Sequence, residues 1–580
     1  LIVYFDIETN GFIDDLDKCV CLAYCIDSED PVIAKNPVEI LHALEVLSSA
    51  SILVGHNCLG FDLPALSSLH PKWSWSGKVR DTLVLARLAY PDRRDLDFAE
   101  QSSGRSTLGG VEWNMPSSLI GSHSLEAWGY RLGMHKDVYV FDSAKIRDLE
   151  YSPELGEYCA QDVRVTRRLH EALHGLDPRA VELEHEFASL IHRQMSNGIG
   201  FDVDSASALY STLSARREEL VTLLQKAVPP TEIVLKTKTK LVPFNPGSRQ
   251  QIAKAMMDMY GWKPEEYTPT GEVKIDETIL DSLDNPTAKM LSEYLMIQKR
   301  IGMLAEGDEA WLRVAKNGRI HGYVNHNGAV TGRCTHRGPN MAQVPSVGSA
   351  FGSECRSLFV PSPGFSMVGV DASGLELRCL AHYMLPYEGG REFMEELLTG
   401  DIHSANQKAA GLPTRSAAKS FIYAFLYGAG PETLGRTVGG GKAEGKRMQS
   451  RFLEKVPALR GLKADVEAKA LRTGRLVGLD GRILRIRSVH AALNTLLQSA
   501  GAVVMKKATC VMNERLNESG INFRQVAHVH DEVQFEVRSQ DAEHASRIVK
   551  DSIAEAGNLL GFRCPLAGES RVGRNWAETH

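Results

Sequence analysis

The sequence predicts a multidomain α/β protein, and three observations carry that prediction. A chain of 580 residues with 43% hydrophobic content is long enough to bury two to four separate cores. Apolar, strand-like runs end abruptly in acids far apart in the chain, at Leu1-Ile-Val-Tyr-Phe-Asp6-Ile-Glu8 and at Ser366-Met-Val-Gly-Val-Asp371. Long helical patterns lie between and beyond them, among them Arg415 to Gly428.

Composition narrows the classes of function. No apolar run approaches the roughly 20 residues of a membrane span, and Leu1 to Phe5 meets Asp6 too early for a signal peptide. The expectation is a cytosolic protein with no membrane partner. The ten cysteines lack the paired spacing of a zinc site or a secreted disulfide framework and read as reduced core thiols. A net charge of −6 and a pI near 6.4 argue mildly against nucleic acid as a partner. The distribution argues the other way, because residues 415 to 487 hold sixteen Lys and Arg against six Asp and Glu.

In the first strand, Asp6 and Glu8 stand at i and i+2, so both carboxylates point to one face of a sheet. Buried acids need a partner, and a divalent cation is the natural one. Gly55-His-Asn-Cys-Leu-Gly-Phe-Asp62 adds a third acid, and Tyr158-Cys-Ala-Gln-Asp162 places a tyrosine and a fourth acid on one helical face. Four acids with an ordered tyrosine hydroxyl match a two-metal hydrolase, in which the metals hold a phosphodiester and Tyr158 orients the attacking water. In this order the pieces resemble the tyrosine-bearing branch of the DEDD 3′→5′ exonucleases over residues 1–173. The resemblance implies an RNase H-like domain with Asp6, Glu8, Asp62 and Asp162 as metal ligands and two metal ions.

A charged helical region runs from about Asp177 to Lys226 and is broken at Asn197-Gly-Ile-Gly200. Thr231 to Leu241 then alternates strictly, which predicts one strand with Lys236, Lys238 and Lys240 on a single face. Such lysines either guard a sheet edge or contact a DNA backbone, and the pattern leaves both open. Arg333, Asn340 and Gln343 stand on loops, where they could read the minor-groove edge of a base pair without regard to sequence. Asp371 ends the second acid-tipped strand. In the helix from Arg415, residues Arg415, Lys419 and Tyr423 line one polar face, a geometry for a nucleoside triphosphate with cations for phosphate and a ring for the base. Val526 to Val537 reads as two strands folded about a turn bearing His530, Asp531 and Glu532.

A strand-end acid, a basic aromatic helix and a turn acid, in that order, resemble motifs A, B and C of family A DNA polymerases from about Phe244 to His580. Phrases such as Glu293-Tyr-Leu-Met-Ile-Gln-Lys-Arg-Ile-Gly302 and Ala492-Leu-Asn-Thr-Leu-Leu-Gln498-Ser-Ala-Gly-Ala502 resemble the replicative polymerases of short-tailed bacteriophages. The resemblance implies a right-hand polymerase: connecting and thumb helices at 174–310, palm at 311–383 and 492–580, fingers at 384–491. It implies that Asp371, Asp531 and the carbonyl of Ala372 hold two Mg²⁺ ions, with Mn²⁺ as a substitute, and that Glu532 belongs to the catalytic set. Arg415, Lys419 and His403 are then expected on the triphosphate, with Tyr423 at the base and Glu376 under the sugar, while Gln498 and His530 join the DNA contacts.

Primer-template DNA and dNTPs are the implied partners, with a replicative helicase-primase as a further candidate, acting with a monomeric enzyme in the cytoplasm of an infected host cell. In one phage member of the family a long basic insertion between thumb helices captures thioredoxin. Here Ala227 to Val242 is too short for such a module, so thioredoxin is not expected. Gly439-Gly-Gly-Lys442 is set aside as a phosphate loop, since no Ser or Thr follows the lysine and Arg436 stands at the upstream glycine position. Two rival readings are a single-subunit RNA polymerase, which Glu376 and a proofreading domain oppose, and an inactive DNA-binding scaffold, which the complete sets of acids oppose.

Overall fold

The structure, a computed structural model, describes residues 1–134, 143–234, 239–268, 270–437 and 439–580. Its N-terminal part is built on a five-stranded sheet of order β3-β2-β1-β4-β5, comprising β1 (Ile2–Thr9), β2 (Cys19–Ile26), β3 (Val32–Ala34), β4 (Ile52–Gly55) and β5 (Lys78–Asp81). Strand β1 runs antiparallel to β2 and parallel to β4. It is apolar on both faces because both are covered. Val3, Phe5 and Ile7 enter a core with Leu44, Leu47 and Leu66, while Tyr4 enters another with Leu155, Cys159 and Val163 of the helix Pro153–Ala172. With a period of two, Asp6 and Glu8 share the Tyr4 face and are turned toward that helix.

The helix Pro178–Asn197 is capped by Asp177, whose carboxylate accepts from the Arg179 amide, and it stops at Gly198, whose φ is 61°. It packs between the N-terminal unit and the rest of the chain, against Thr82–Ala89 on one side and Ala492–Glu518 and Phe523–Val529 on the other. Val203–Ala227 and Pro286–Ile301 pack against each other, sharing a core of Leu213, Leu220, Leu224, Leu291 and Leu295. The single strand expected from Thr231 to Leu241 is instead a hairpin, Thr231–Val234 against Thr239–Val242, with Thr231 opposite Val242. Alternation cannot see a reversal of direction, and a hairpin keeps the same apolar rhythm on both arms. Lys240 lies exposed on the second arm, whereas Lys236 and Lys238 fall outside the described residues.

A four-stranded antiparallel sheet organises the C-terminal half, in the order Phe523–Val529, Glu532–Arg538, Phe365–Ala372, Gly568–Gly573. One face, carrying Val368, Val370, Val533, Phe535 and Val537, is covered by the helices Ala492–Glu518 and Ala542–Leu559. Met367, one residue out of phase, joins a core with Phe359, Trp311 and Trp576 on the other side. Asp371 shares the phase of Met367, which sets it away from the covering helices.

Residues 390–473 add a helical cluster. Within it Arg415–Leu426 buries Ala418, Phe421, Ile422 and Phe425, with Phe421 and Phe425 each edge-on to Phe452 at 5.6 and 5.8 Å. The apolar side of that helix is thereby fixed inward, and Arg415, Lys419 and Tyr423 are left on the other.

Candidate active sites

The first site forms where the end of Phe365–Ala372 meets the turn between Phe523–Val529 and Glu532–Arg538. His530 takes the left-handed conformation that the turn requires, with φ of 57°. The Ala372 amide donates to the Asp531 carbonyl at 3.1 Å, which ties the two acid-bearing segments together. Burial, reinforced by Asp531 and Glu532, pushes the Asp371 carboxyl up to about 7. Burial and then Glu376 raise Asp531 as well. Acids whose ionisation is opposed by burial and by one another are a donor set that a hard cation would relieve.

Glu532 stands apart from these two acids. Although Asp371 lies opposite it in the sheet, its carboxylate accepts from the Trp576 indole and from Gln534 at 2.7 Å, and it meets His580 at 3.0 Å and Arg356 at 3.4 Å. Burial opposes its ionisation, but His580, Arg356 and Trp576 outweigh that and hold the carboxyl below its usual range. Glu532, expected in the catalytic set, is buried among these partners. Trp576 and Arg356 lie far from the motif in sequence, so no local signal could have revealed this.

Across from the acids, Tyr423 is half-buried with its ring 6.3 Å from His403 and 6.5 Å from Tyr427. The Tyr427 hydroxyl donates to Glu376 at 3.1 Å, and Arg333 approaches the same carboxylate at 3.7 Å. Arg333, Glu376, His530 and Asp531 line one small cavity with Leu375, Lys506 and His528. Tyr427 was missed in the sequence, although it continues the four-residue spacing of Arg415, Lys419 and Tyr423. Lys419 is exposed, and Arg415 donates from Nε to Asp401 at 2.8 Å. Burial and both of these cations hold the His403 imidazole below its usual range. Gln498 donates to Asn494 at 2.9 Å, and Asn494 in turn to the Tyr427 carbonyl at 3.3 Å, which joins the helix 492–518 to the end of the Arg415 helix. Asn340 caps its own short turn by accepting from the Ala342 amide, and Gln343 is exposed on that turn.

The second site lies at the Asp6 face of β1. Asp6, Glu8 and Cys159 bring donor atoms within 4.8 Å of one another, and the Cys159 thiol lies 3.5 Å from the Asp6 carboxylate. Asp62 opens the helix Asp62–Leu69; burial pushes its carboxyl up to about 7, with Asp81 and Asp162 adding to the shift. Asp62 and Asp162, a hundred residues apart, are therefore near enough for their charges to interact. Tyr158 and Asp162 are one helical turn apart on Pro153–Ala172. Sequence reasoning also missed Asp81, which is buried and accepts from the Asn57 amide at 2.8 Å and the Leu59 amide at 3.0 Å, so it shapes the loop leading to Asp62.

No helix among the described residues is long and apolar enough to cross a membrane. Comparison with known proteins agrees with the polymerase side of the geometry. Residues 216–578 match the family model described as DNA polymerase family A. The DNA-directed DNA polymerase of Escherichia phage T7 is 35% identical over 712 aligned positions, covering 99% of both chains, and that of Enterobacteria phage T3 is similar to the same extent. DNA polymerase I of Pseudomonas aeruginosa is 26% identical, over 74% of this chain and 48% of its own. In fold, the chain is similar to the POL domain of Pol1 from M. smegmatis, solved with primer-template DNA and dNTP, with a TM-score of 0.76 at 20% identity, covering 100% of this chain and 96% of that one. A palm-like sheet with acids at one end, a facing basic aromatic helix and a family match across the whole C-terminal half lead to one conclusion: the chain belongs to DNA polymerase family A.

Proposed function

We propose that this chain extends a DNA primer by template-directed transfer of deoxynucleotides and that its N-terminal unit proofreads by 3′→5′ hydrolysis. The observation that carries the polymerase reading is that Asp371 and Asp531 lie on adjoining segments tied by the Ala372 amide to the Asp531 carbonyl, with Tyr423 of the helix that bears Arg415 and Lys419 near Asp531. Residues 311–383 and 492–580 then act as the palm, 384–491 as the fingers, and the body of Val203–Ala227 with Pro286–Ile301 as the thumb.

Asp371, Asp531 and the Ala372 carbonyl would hold Mg²⁺, for which an all-oxygen donor set is suited. Bound there, the cations acidify the primer 3′-hydroxyl and offset charge at the α-phosphate. The protein's own residues do the positioning. Lys419 and the outer nitrogens of Arg415 hold the triphosphate tail, with His403 beside them as a further donor. Tyr423 presents its ring to the incoming base. Glu376, steadied by Tyr427 and Arg333, walls the sugar site where a 2′-hydroxyl would stand. Arg333, Asn340, Gln343, Gln498 and His530 are proposed along the newly formed pair and the primer end, and Lys240 on the duplex backbone.

In the N-terminal unit, Asp6, Glu8, Asp62 and Asp162 would hold a second pair of Mg²⁺ ions. Tyr158 would orient the attacking water. A helicase-primase as partner and a monomeric state are part of the same proposal.

The test is a primed template with Mg²⁺, with and without dNTPs. Asp531→Asn should abolish extension and leave degradation intact, and Asp6→Ala with Glu8→Ala should do the reverse. Loss of both activities in either folded variant would sink the two-site assignment.

A further inference from the structure

The thumb and the fingers touch. Glu266 belongs to the loop that follows the thumb helix Arg249–Tyr260, and Arg436 is the last residue of the fingers helix Pro431–Arg436. Their side chains are ion-paired, and each has further partners on its own side. Lys274 meets Glu266 at 2.8 Å and Asp276 at 3.7 Å, while Glu432 meets Arg436 at 3.0 Å. The result is a line of five charges of alternating sign that runs from one unit to the other.

The place of this contact gives it meaning. The thumb core of Leu213, Leu220, Leu224, Leu291 and Leu295 is continuous with Met367 and Trp576 beside the palm sheet. The fingers core of Phe421, Phe425 and Phe452 is continuous with Val368 and Val370 on the same sheet. Thumb and fingers thus rise from one base, and the Glu266 to Arg436 pair joins them again at a second point. Base, thumb, ion pair and fingers form a closed circuit of protein, with Asp371 and Asp531 on the base.

We infer that Glu266 and Arg436 form a latch between thumb and fingers that closes the protein around bound DNA and retains it between successive additions. This rests on the polymerase reading. The chemistry suits a latch rather than a permanent joint. Arg436 is 49% and Glu266 30% exposed at the side chain. Exposed pairs of this kind are weak and are screened by salt, so the latch can open to load DNA. The neighbouring charges hold each partner in place when it is open, which favours reclosure. Arg436 was noted in the sequence only as the residue that spoils a phosphate loop.

Two measurements test the latch. In the first, product length is measured after a single binding encounter with a primed template. Glu266→Gln and Arg436→Gln should each shorten products by about two- to fivefold, the factor that corresponds to an exposed ion pair. The two substitutions together should cost no more than either alone, because a direct interaction is lost only once. In the second, Glu266→Cys with Arg436→Cys is cross-linked by a short thiol reagent after loading on primed circular DNA. The complex should survive a high-salt wash on the circle and be lost once the circle is cut. Unchanged product length in both single variants, a double variant whose loss is the product of the two single losses, failure to cross-link on DNA, or equal loss from circle and line would each overturn the latch. Normal primer extension in those same variants would show that the polymerase reading still stands, whereas absence of extension by the unaltered protein would remove that reading first.

Discussion

Glu184→Gln should loosen the polymerase half at a point distant from its chemistry. Glu184 lies on the helix Pro178–Asn197 with no exposed surface, and it receives Lys506 from the helix 492–518, Arg482 at 2.7 Å from the hairpin near residue 480, and His326 at 3.2 Å. Burial opposes its charge, but Lys506, Arg482 and His326 together outweigh that and hold the carboxyl far below the usual carboxylate range. Arg482 has a second partner in Asp480 at 2.7 Å, whereas burial already lowers the Lys506 ammonium and Glu184 is the carboxylate that offsets it. Neutralising the acid leaves a buried ammonium without its counter-charge, a change that costs about 3–5 kcal/mol.

Unfolding of a chain with several units is not two-state, so the effect is best read by hydrogen exchange of the amides in 178–197 and 492–518. At 1.4 kcal/mol per tenfold, exchange through the shared opening should accelerate by about two to three and a half orders of magnitude. Adding Lys506→Met should recover much of the loss, because it removes the stranded charge. Acceleration of less than about tenfold, or a double variant less protected than Glu184→Gln alone, would refute this account of the network.

Three further outcomes are expected. Glu376→Ala should admit ribonucleotides more readily in a competition assay, and because residue 423 is Tyr, dideoxynucleotides should terminate synthesis efficiently; strong rejection of them would remove Tyr423 from the sugar site. Burial lowers His326 and His336 to about 4 and His528 to about 3, against 6.5 when unfolded, so their stabilisation is complete above about 6.5 and is lost as pH falls toward 4. Each should add about 1.4 kcal/mol per pH unit to the acid sensitivity within that window, and His528→Phe should measurably flatten the pH dependence of unfolding, an unchanged slope being the contrary result. The T7 alignment spans 712 positions against 580 residues here, so that relative carries more than a hundred residues this chain lacks. Thioredoxin should accordingly not lengthen products, while replacing Lys236, Lys238 and Lys240 with Ala should flatten the salt dependence of primer-template affinity; a large stimulation, or an unchanged salt slope, would contradict these two expectations in turn.

Much of this protein was legible from the sequence because local periodicity governs so much of it. A period of two placed Asp6 and Glu8 on one face, and the same rule set Asp371 out of phase with Val368 and Val370. A spacing of four placed Arg415, Lys419 and Tyr423 together, since Phe421 and Phe425 must turn inward. Such rules describe one element at a time. They could not distinguish the hairpin at 231–242 from a single strand, nor tell that Glu532, next to Asp531, is enclosed by Trp576, His580 and Arg356. The partners of an acid depend on which side chains the chain brings back to it from far away. Trp576 reaches Glu532 across 44 residues, Lys506 reaches Glu184 across 322, and Arg436 reaches Glu266 across 170. Those encounters are decided by the packing of whole units, because burial and paired charge are properties of the assembled interior.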